Sequence, residues 1–206
     1  MLFGLTGAHR SGKTTLARAV ADDLGIEFYE TSTSQIAKEL GYNAVGDLPL
    51  EDRLYLQTKL LENHIDQISK LPRPLITDRT PLDFMGYLAC EFTMSNGSGV
   101  SPEVLQRAAQ FIDTCLNATR HYYDTLYYLA PLPDYVVEDG KPADNPIYQQ
   151  HHALVVLGGI QQLRDSINSS LIFETAWDIR EQFVHDAIVC RLNDIHKERR
   201  SATYLN

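Results

Sequence analysis

Short apolar runs alternate along the chain with longer stretches in which apolar residues recur at helical spacing, the pattern of an α/β domain built around a parallel sheet. Five runs read as strands: residues 2–6, 26–29, 74–77, 125–129 and 170–174, each bounded by turn residues or a helix-like stretch. Between the first two, Leu16, Ala17, Val20 and Leu24 repeat at helical spacing over residues 13–24, and Gly25 supplies the stop. A longer helix over about residues 50–71 carries Leu54, Leu61, Ile65 and Ile68 on one face and ends at Pro72. On another face Arg53, Gln57 and His64 share a narrow sector, because steps of four and seven residues nearly complete whole turns. Such a stripe either lines a pocket or faces water.

After the third strand, Pro81 opens a helix to about Met94, residues 95–99 break it, and another helix starts near Pro102. The proline-rich residues 131–146 read as an excursion ahead of a helix, placed like a lid. The last helix, about residues 178–197, is expected to turn Ile179, Phe183, Ile188, Leu192 and Ile195 inward, with Trp177 packed in the core.

The 206 residues suit one hydrophobic core and a single domain over residues 1–206. Lys and Arg number 18 against 27 Asp and Glu, a net charge of −9, which argues against polymeric DNA or RNA as partner. The three cysteines, Cys90, Cys115 and Cys190, are widely separated and suggest neither a zinc site nor a disulfide framework. The longest uncharged apolar stretch, residues 153–163, is too short to span a bilayer, and the start lacks the marks of a signal peptide. A cytoplasmic protein with no membrane partner is the expectation, and a homodimer stays open.

The strongest chemical signal is Gly7-Ala8-His9-Arg10-Ser11-Gly12-Lys13-Thr14, which fits G-x-x-x-x-G-K-[ST] at every fixed position between a strand and a helix. Glycines let the backbone aim its N–H groups at phosphate oxygens, and the following helix adds its positive end. The expected cofactors are ATP and Mg²⁺: residues 7–14 with Thr15 bind the nucleotide, Lys13 bridges its β- and γ-phosphates, and the Thr14 hydroxyl faces the metal. Motors, switches and kinases share this loop, so the acceptor must be argued separately.

The third strand delivers Asp78 and Arg79 to the carboxyl edge of the sheet, where ligands of open parallel sheets bind. Asp78 could hold a magnesium-bound water or accept a proton from an attacking hydroxyl, and Arg79 offers a planar fork to an acceptor phosphate or the migrating phosphoryl group. Lys13, Asp78 and Arg79 are the expected catalytic set, with Thr14 and Asp78 toward the metal.

With Gly7–Thr14, with Thr77-Asp78-Arg79-Thr80-Pro81-Leu82-Asp83, and with Val137-Glu138-Asp139-Gly140-Lys141 ahead of a helix, the chain resembles the P-loop nucleoside and nucleoside-monophosphate kinases. It is most similar to thymidylate-kinase-like and small phage-type nucleotide kinases. The resemblance implies a five-stranded parallel sheet in the order 2-3-1-4-5, an acceptor pocket behind the third strand, and a lid over ATP. It also implies that the helix carrying Arg53 and Gln57 faces a small nucleotide or nucleoside acceptor. Asp83 and Tyr87, one turn apart on one helical face, join that set, although buried packing is the competing account of Tyr87. Lids of many members carry several arginines, whereas residues 131–146 offer only Lys141, so Arg10, Arg79, Arg164 and Arg180 come into question for the phosphates.

A (deoxy)nucleoside monophosphate kinase is the leading expectation. A nucleoside or nicotinamide-riboside kinase, with Asp78 as general base, is the nearest competitor. An NTPase switch or AAA-like module without a small acceptor is the alternative from another class.

Overall fold

The computed structural model describes residues 1–43, 48–95, 99–133 and 145–203, with side chains to Asp194. Residues 134–144, most of the expected lid with its Val137–Lys141 motif, lie outside the described residues. Five strands, β1 (Leu2–Thr6), β2 (Glu27–Tyr29), β3 (Leu75–Thr77), β4 (Thr125–Leu129) and β5 (Asn168–Ile172), form one parallel sheet in the order β2-β3-β1-β4-β5. Seven helices are described around it: α1 (Lys13–Leu24), α2 (Thr33–Glu39), α3 (Leu50–Lys70), α4 (Pro81–Met94), α5 (Pro102–Tyr122), α6 (Pro146–Leu163) and α7 (Trp177–Thr203).

The central strand β1 is buried at all five positions, as a strand covered by helices on both faces must be. Phe3 and Leu5 pack with Leu16, Ala17 and Val20 of α1 and Val184 and Ile188 of α7. Leu2 points the other way, into the larger cluster with Leu54, Leu61, Phe84, Phe111 and Val156 of α3 to α6. The period-two alternation of one strand thus feeds two cores.

Three expectations need correction. β5 runs two residues earlier than its apolar content suggests; it is an edge strand paired only with β4, from Thr125↔Asn168 to Leu129↔Ile172, so polar residues suffice on its exposed side. Glu174, expected inside that strand, instead accepts the N–H groups of Thr175 and Ala176 at 2.6 and 3.0 Å ahead of α7. In α7 Ile188 and Leu192 pack inward as expected, but in its first turns Arg180 and Val184 are buried in place of Ile179 and Phe183, which are 51% and 46% exposed. Trp177, at 42% exposure, is not a core residue. Helix α2 had no signal in the sequence because it buries a single side chain, Ala37. Among the described residues no helix is long and apolar enough to cross a membrane.

Candidate active site at the carboxyl edge of the sheet

β1 ends at Thr6, and residues 7–12 turn the chain into α1. Gly7 holds φ 141° with its Cα against the Leu129 carbonyl, where a Cβ would stand 2.4 Å from that oxygen, so only glycine fits. Arg10 adopts the left-handed φ of 59°, a conformation a non-glycine residue keeps only where its surroundings impose it. The Lys13 ammonium folds back onto the loop, donating to the carbonyls of Gly7 and Ala8 at 2.7 Å each. Burial pushes its pKa down to about 8; Asp83 and Asp78 oppose that shift and Arg79 adds to it. Ala8, His9 and Ser11 are buried, and Thr15 is exposed on the first turn of α1.

The carbonyl side of this loop is held from outside. Gln149 of α6 donates to the His9 oxygen at 2.8 Å, the Leu132 N–H lies 3.5 Å from the Arg10 oxygen, and Arg180 of α7 donates to the Ser11 oxygen at 2.8 Å. Arg180 also donates to the carbonyls of Ala130 and Glu174. Three consecutive loop carbonyls are therefore turned away from the face on which the N–H groups would meet phosphate. Arg180, weighed in the sequence as a cation for the phosphates, is committed to backbone oxygens, and Arg164 is exposed beside Asp165 at 3.6 Å. The sequence did carry a signal for Arg180: it stands at i, i+4, i+8 spacing with Val184 and Ile188, an arginine on an apolar face.

β3 places Asp78 opposite the loop. The Thr14 hydroxyl donates to Asp78 Oδ2 at 2.7 Å, and the Thr31 N–H, just past β2, donates to Oδ1 at 2.9 Å. Thr14 and Asp78 thus bring two hard oxygen donors together, the kind that Mg²⁺ shares with phosphate and water. Next to it Arg79 is half-buried, its guanidinium 5.6 Å from the centre of the Tyr87 ring. Burial opposes the charge on Arg79, but Tyr87, Asp78 and Asp83 outweigh it and hold the guanidinium protonated.

Asp83, expected on the acceptor side, is fully buried and spoken for. Its carboxylate accepts from the Thr6 hydroxyl at 2.9 Å, the Gly7 N–H at 3.2 Å and the Thr80 N–H at 2.8 Å, with Lys13 3.7 Å away. With Thr80 it forms a capping box at the start of α4, a motif worth about 1 kcal/mol. Its place is beneath the phosphate loop, where it ties that loop to α4.

The polar stripe of α3 does not face water: Arg53, Gln57 and His64 are all buried. Arg53 lies 3.9 Å from Glu91 of α4. Gln57 is 5% exposed and its buried Oε1 has no hydrogen-bond partner among the described residues. Tyr87 is half-buried with its ring 4.4 Å from that of His152, which fits against α4 because residue 86 is glycine. The His9 ring lies 6.4 Å from Tyr87 and 6.0 Å from Tyr148, and the Tyr148 hydroxyl donates to Glu91 at 3.1 Å. Burial drives the imidazole of His152 down to about 3, so it is neutral. Among the described residues no group of three His, Cys, Asp or Glu side chains could hold a metal.

Sheet order, phosphate loop and Asp78–Arg79 edge together define a P-loop fold of the nucleotide-kinase type. The family model described as an AAA domain matches residues 2–154, and the chain belongs to that family. A search of curated proteins finds no match. Among solved structures, deoxyadenosine kinase from M. mycoides with bound dCTP superposes with a TM-score of 0.67 at 15% identity, over 92% of this chain and 100% of that one. Thymidylate kinase from Candida albicans gives 0.66 at 16% identity, over 93% and 92%. A NadR protein in complex with NAD and AMP-PNP gives 0.63 at 12% identity, over 91% of this chain but 48% of that one.

Proposed function

We propose that the protein is an ATP-dependent phosphotransferase whose acceptor is the phosphate of a (deoxy)nucleoside monophosphate. The observation that carries this reading is the 2.7 Å bond between Thr14 of the phosphate loop and Asp78 of the third strand, with Arg79 beside it. Both oxygens of Asp78 are engaged, one toward the loop and one by the Thr31 N–H, which suits a carboxylate on the metal side better than one waiting for a proton. An acceptor phosphate oxygen is already ionised and needs no base, and Arg79 supplies a fork for it.

Lys13 and the loop N–H groups would bind the β- and γ-phosphates, and Thr14 and Asp78 would hold Mg²⁺ directly or through water. The ion, when bound, supplies charge neutralisation at the phosphates. Gln57, Arg53 and Tyr87 would form the acceptor wall; the unpartnered Oε1 of Gln57 suits a base edge that presents an N–H donor. Similarity to structures of deoxyadenosine and thymidylate kinases agrees with this reading. The AAA domain description favours a second one, ATP hydrolysis coupled to a partner.

The test of the acceptor side is Arg79→Ala. Its KM for the monophosphate should rise by tenfold or more while the KM for ATP stays within about twofold, since the lost charge-assisted bonds belong to the acceptor. Equal losses on both substrates would move Arg79 to the donor site and remove the reading.

A further inference from the structure

His64 has no part in the chemistry so far, yet it is fully buried in the middle of α3 and both ring nitrogens are engaged. Nδ1 lies 3.3 Å from the Thr31 hydroxyl, and Nε2 lies 2.7 Å from the Tyr123 hydroxyl. Each of those partners leads to one half of the Asp78–Arg79 pair. The Thr31 N–H holds Asp78 Oδ1 at 2.9 Å, and the Tyr123 hydroxyl donates to the Arg79 carbonyl at 3.1 Å, which also accepts from Thr77 at 2.7 Å.

One proton assignment satisfies the chain. With hydrogen on Nε2, Thr31 donates to Nδ1, Nε2 donates to the Tyr123 oxygen, and Tyr123 donates onward to Arg79. That requires a neutral imidazole, and burial, with Arg79 adding to it, pushes its pKa down to about 3. The ring is also fixed by its neighbours: it lies nearly parallel to the Tyr123 ring, 7° apart with centroids 6.4 Å away across their hydrogen bond, and meets Phe84 edge-on at 5.4 Å.

The central strand makes room for this arrangement. A Cβ on Gly4 would stand 2.6 Å from Tyr123 Cε1 and 2.5 Å from Thr80 Cγ2. Glycine inside a strand costs conformational entropy, so its presence in the middle of β1 is explained by the tyrosine ring that it admits.

We infer that His64 is a positioning residue which, through Thr31 and Tyr123, holds Asp78 and Arg79 in one fixed relation at the edge of the sheet. The pair lies on a strand end followed by a turn, where the backbone is least constrained, and site geometry is kept only when the supporting side chains are themselves locked. His64 is the locked element from which both arms run. It acts without changing charge at ordinary pH, so its removal should alter the height of a pH–rate profile and leave its shape alone.

The inference rests on the phosphotransferase reading, and steady-state kinetics of wild type, Tyr123→Phe, His64→Phe and His64→Gln with Mg·ATP and a nucleoside monophosphate test it. Tyr123→Phe removes one oxygen and keeps the ring. It should lower kcat by about tenfold and raise the acceptor KM, with the KM for ATP within twofold. His64→Phe should do the same or worse, and His64→Gln, which retains a neutral polar group near the Nε2 position, should recover much of the loss. In an Arg79→Ala background Tyr123→Phe should add little, because the carbonyl it holds remains but the guanidinium that this bond positions is gone. A Tyr123→Phe protein equal to wild type, or one whose loss multiplies undiminished with that of Arg79→Ala, would overturn the inference while leaving the kinase reading intact. A wild-type protein that phosphorylates no acceptor would overturn both.

Discussion

The Thr14 hydroxyl donates to Asp78 Oδ2 at 2.7 Å across 64 residues of sequence, joining the first strand's loop to the third strand's end. Two motifs that the sequence offers separately are one site because β1 and β3 are neighbours, paired from Leu2↔Leu75 to Gly4↔Thr77. Asp78→Asn keeps the shape and the bond to Thr31 but removes the negative charge that a hard cation would meet. It should raise the Mg²⁺ concentration needed for half-maximal turnover by roughly tenfold, read from a magnesium titration at saturating nucleotide. An unchanged titration would place the metal elsewhere.

Lys13 links nucleotide binding to pH. Its folded-state pKa of about 8 lies below the ordinary 10.5, so between those values the free protein holds fewer protons at this site than an exposed lysine would. Triphosphate restores the charged form, so binding should take up protons above pH 8 and take up none at Lys13 near pH 7. Calorimetry of ATP binding at pH 7 and pH 9, in buffers of different ionisation enthalpy, measures this. Uptake that does not grow with pH would show that the ammonium is charged throughout.

Two buried neutral histidines set acid stability. The folded-state pKa of both His64 and His152 is about 3, below the unfolded 6.5. Their contribution is therefore complete above about pH 6.5 and is lost as the pH falls from there toward 3, when the unfolded chain takes protons that the folded one refuses. Each adds roughly 1.4 kcal/mol per pH unit to the slope. Urea unfolding between pH 7 and pH 4 should show a steep loss that His152→Gln makes shallower. A flat profile would mean that these rings ionise in the fold.

Arg180 and Gln149 shape the phosphate loop from behind. Arg180→Lys keeps the charge but cannot reach three carbonyls in a planar fork, and Gln149→Leu removes the bond to His9. Each should raise the Kd for ATP by several-fold, more for Arg180, with the acceptor KM little changed. Fluorescence titration with a labelled ATP analogue reads it, and unaltered affinity in both variants would show that the loop keeps its shape unaided.

What the sequence disclosed follows physical lines. β1 and β4 announce themselves because helices cover both faces and every position is apolar or small. The loop at residues 7–14 is legible because backbone geometry permits few residue types there. Asp83 was misread: Thr80-x-x-Asp83 is also a capping pattern, and only the fold shows that the carboxylate points under the loop. The phase of the first turns of α7 was misjudged because Ile179 and Phe183 outweigh Arg180 in any apolar count, although Arg180 is the residue that reaches inward, while Ile188 and Leu192 pack as expected. Nothing in the sequence relates Tyr123 to His64, whose contact depends on how α3 and the end of α5 meet over Gly4.

The central claim is transfer of a phosphoryl group to a small nucleotide, and product chromatography after incubation with Mg·ATP and each common deoxynucleoside monophosphate tests it directly. A nucleoside diphosphate formed in step with ADP, and absent with Lys13→Ala, is the predicted result. ADP and inorganic phosphate with every acceptor unchanged, nucleosides included, would contradict it and leave an ATPase of the AAA kind.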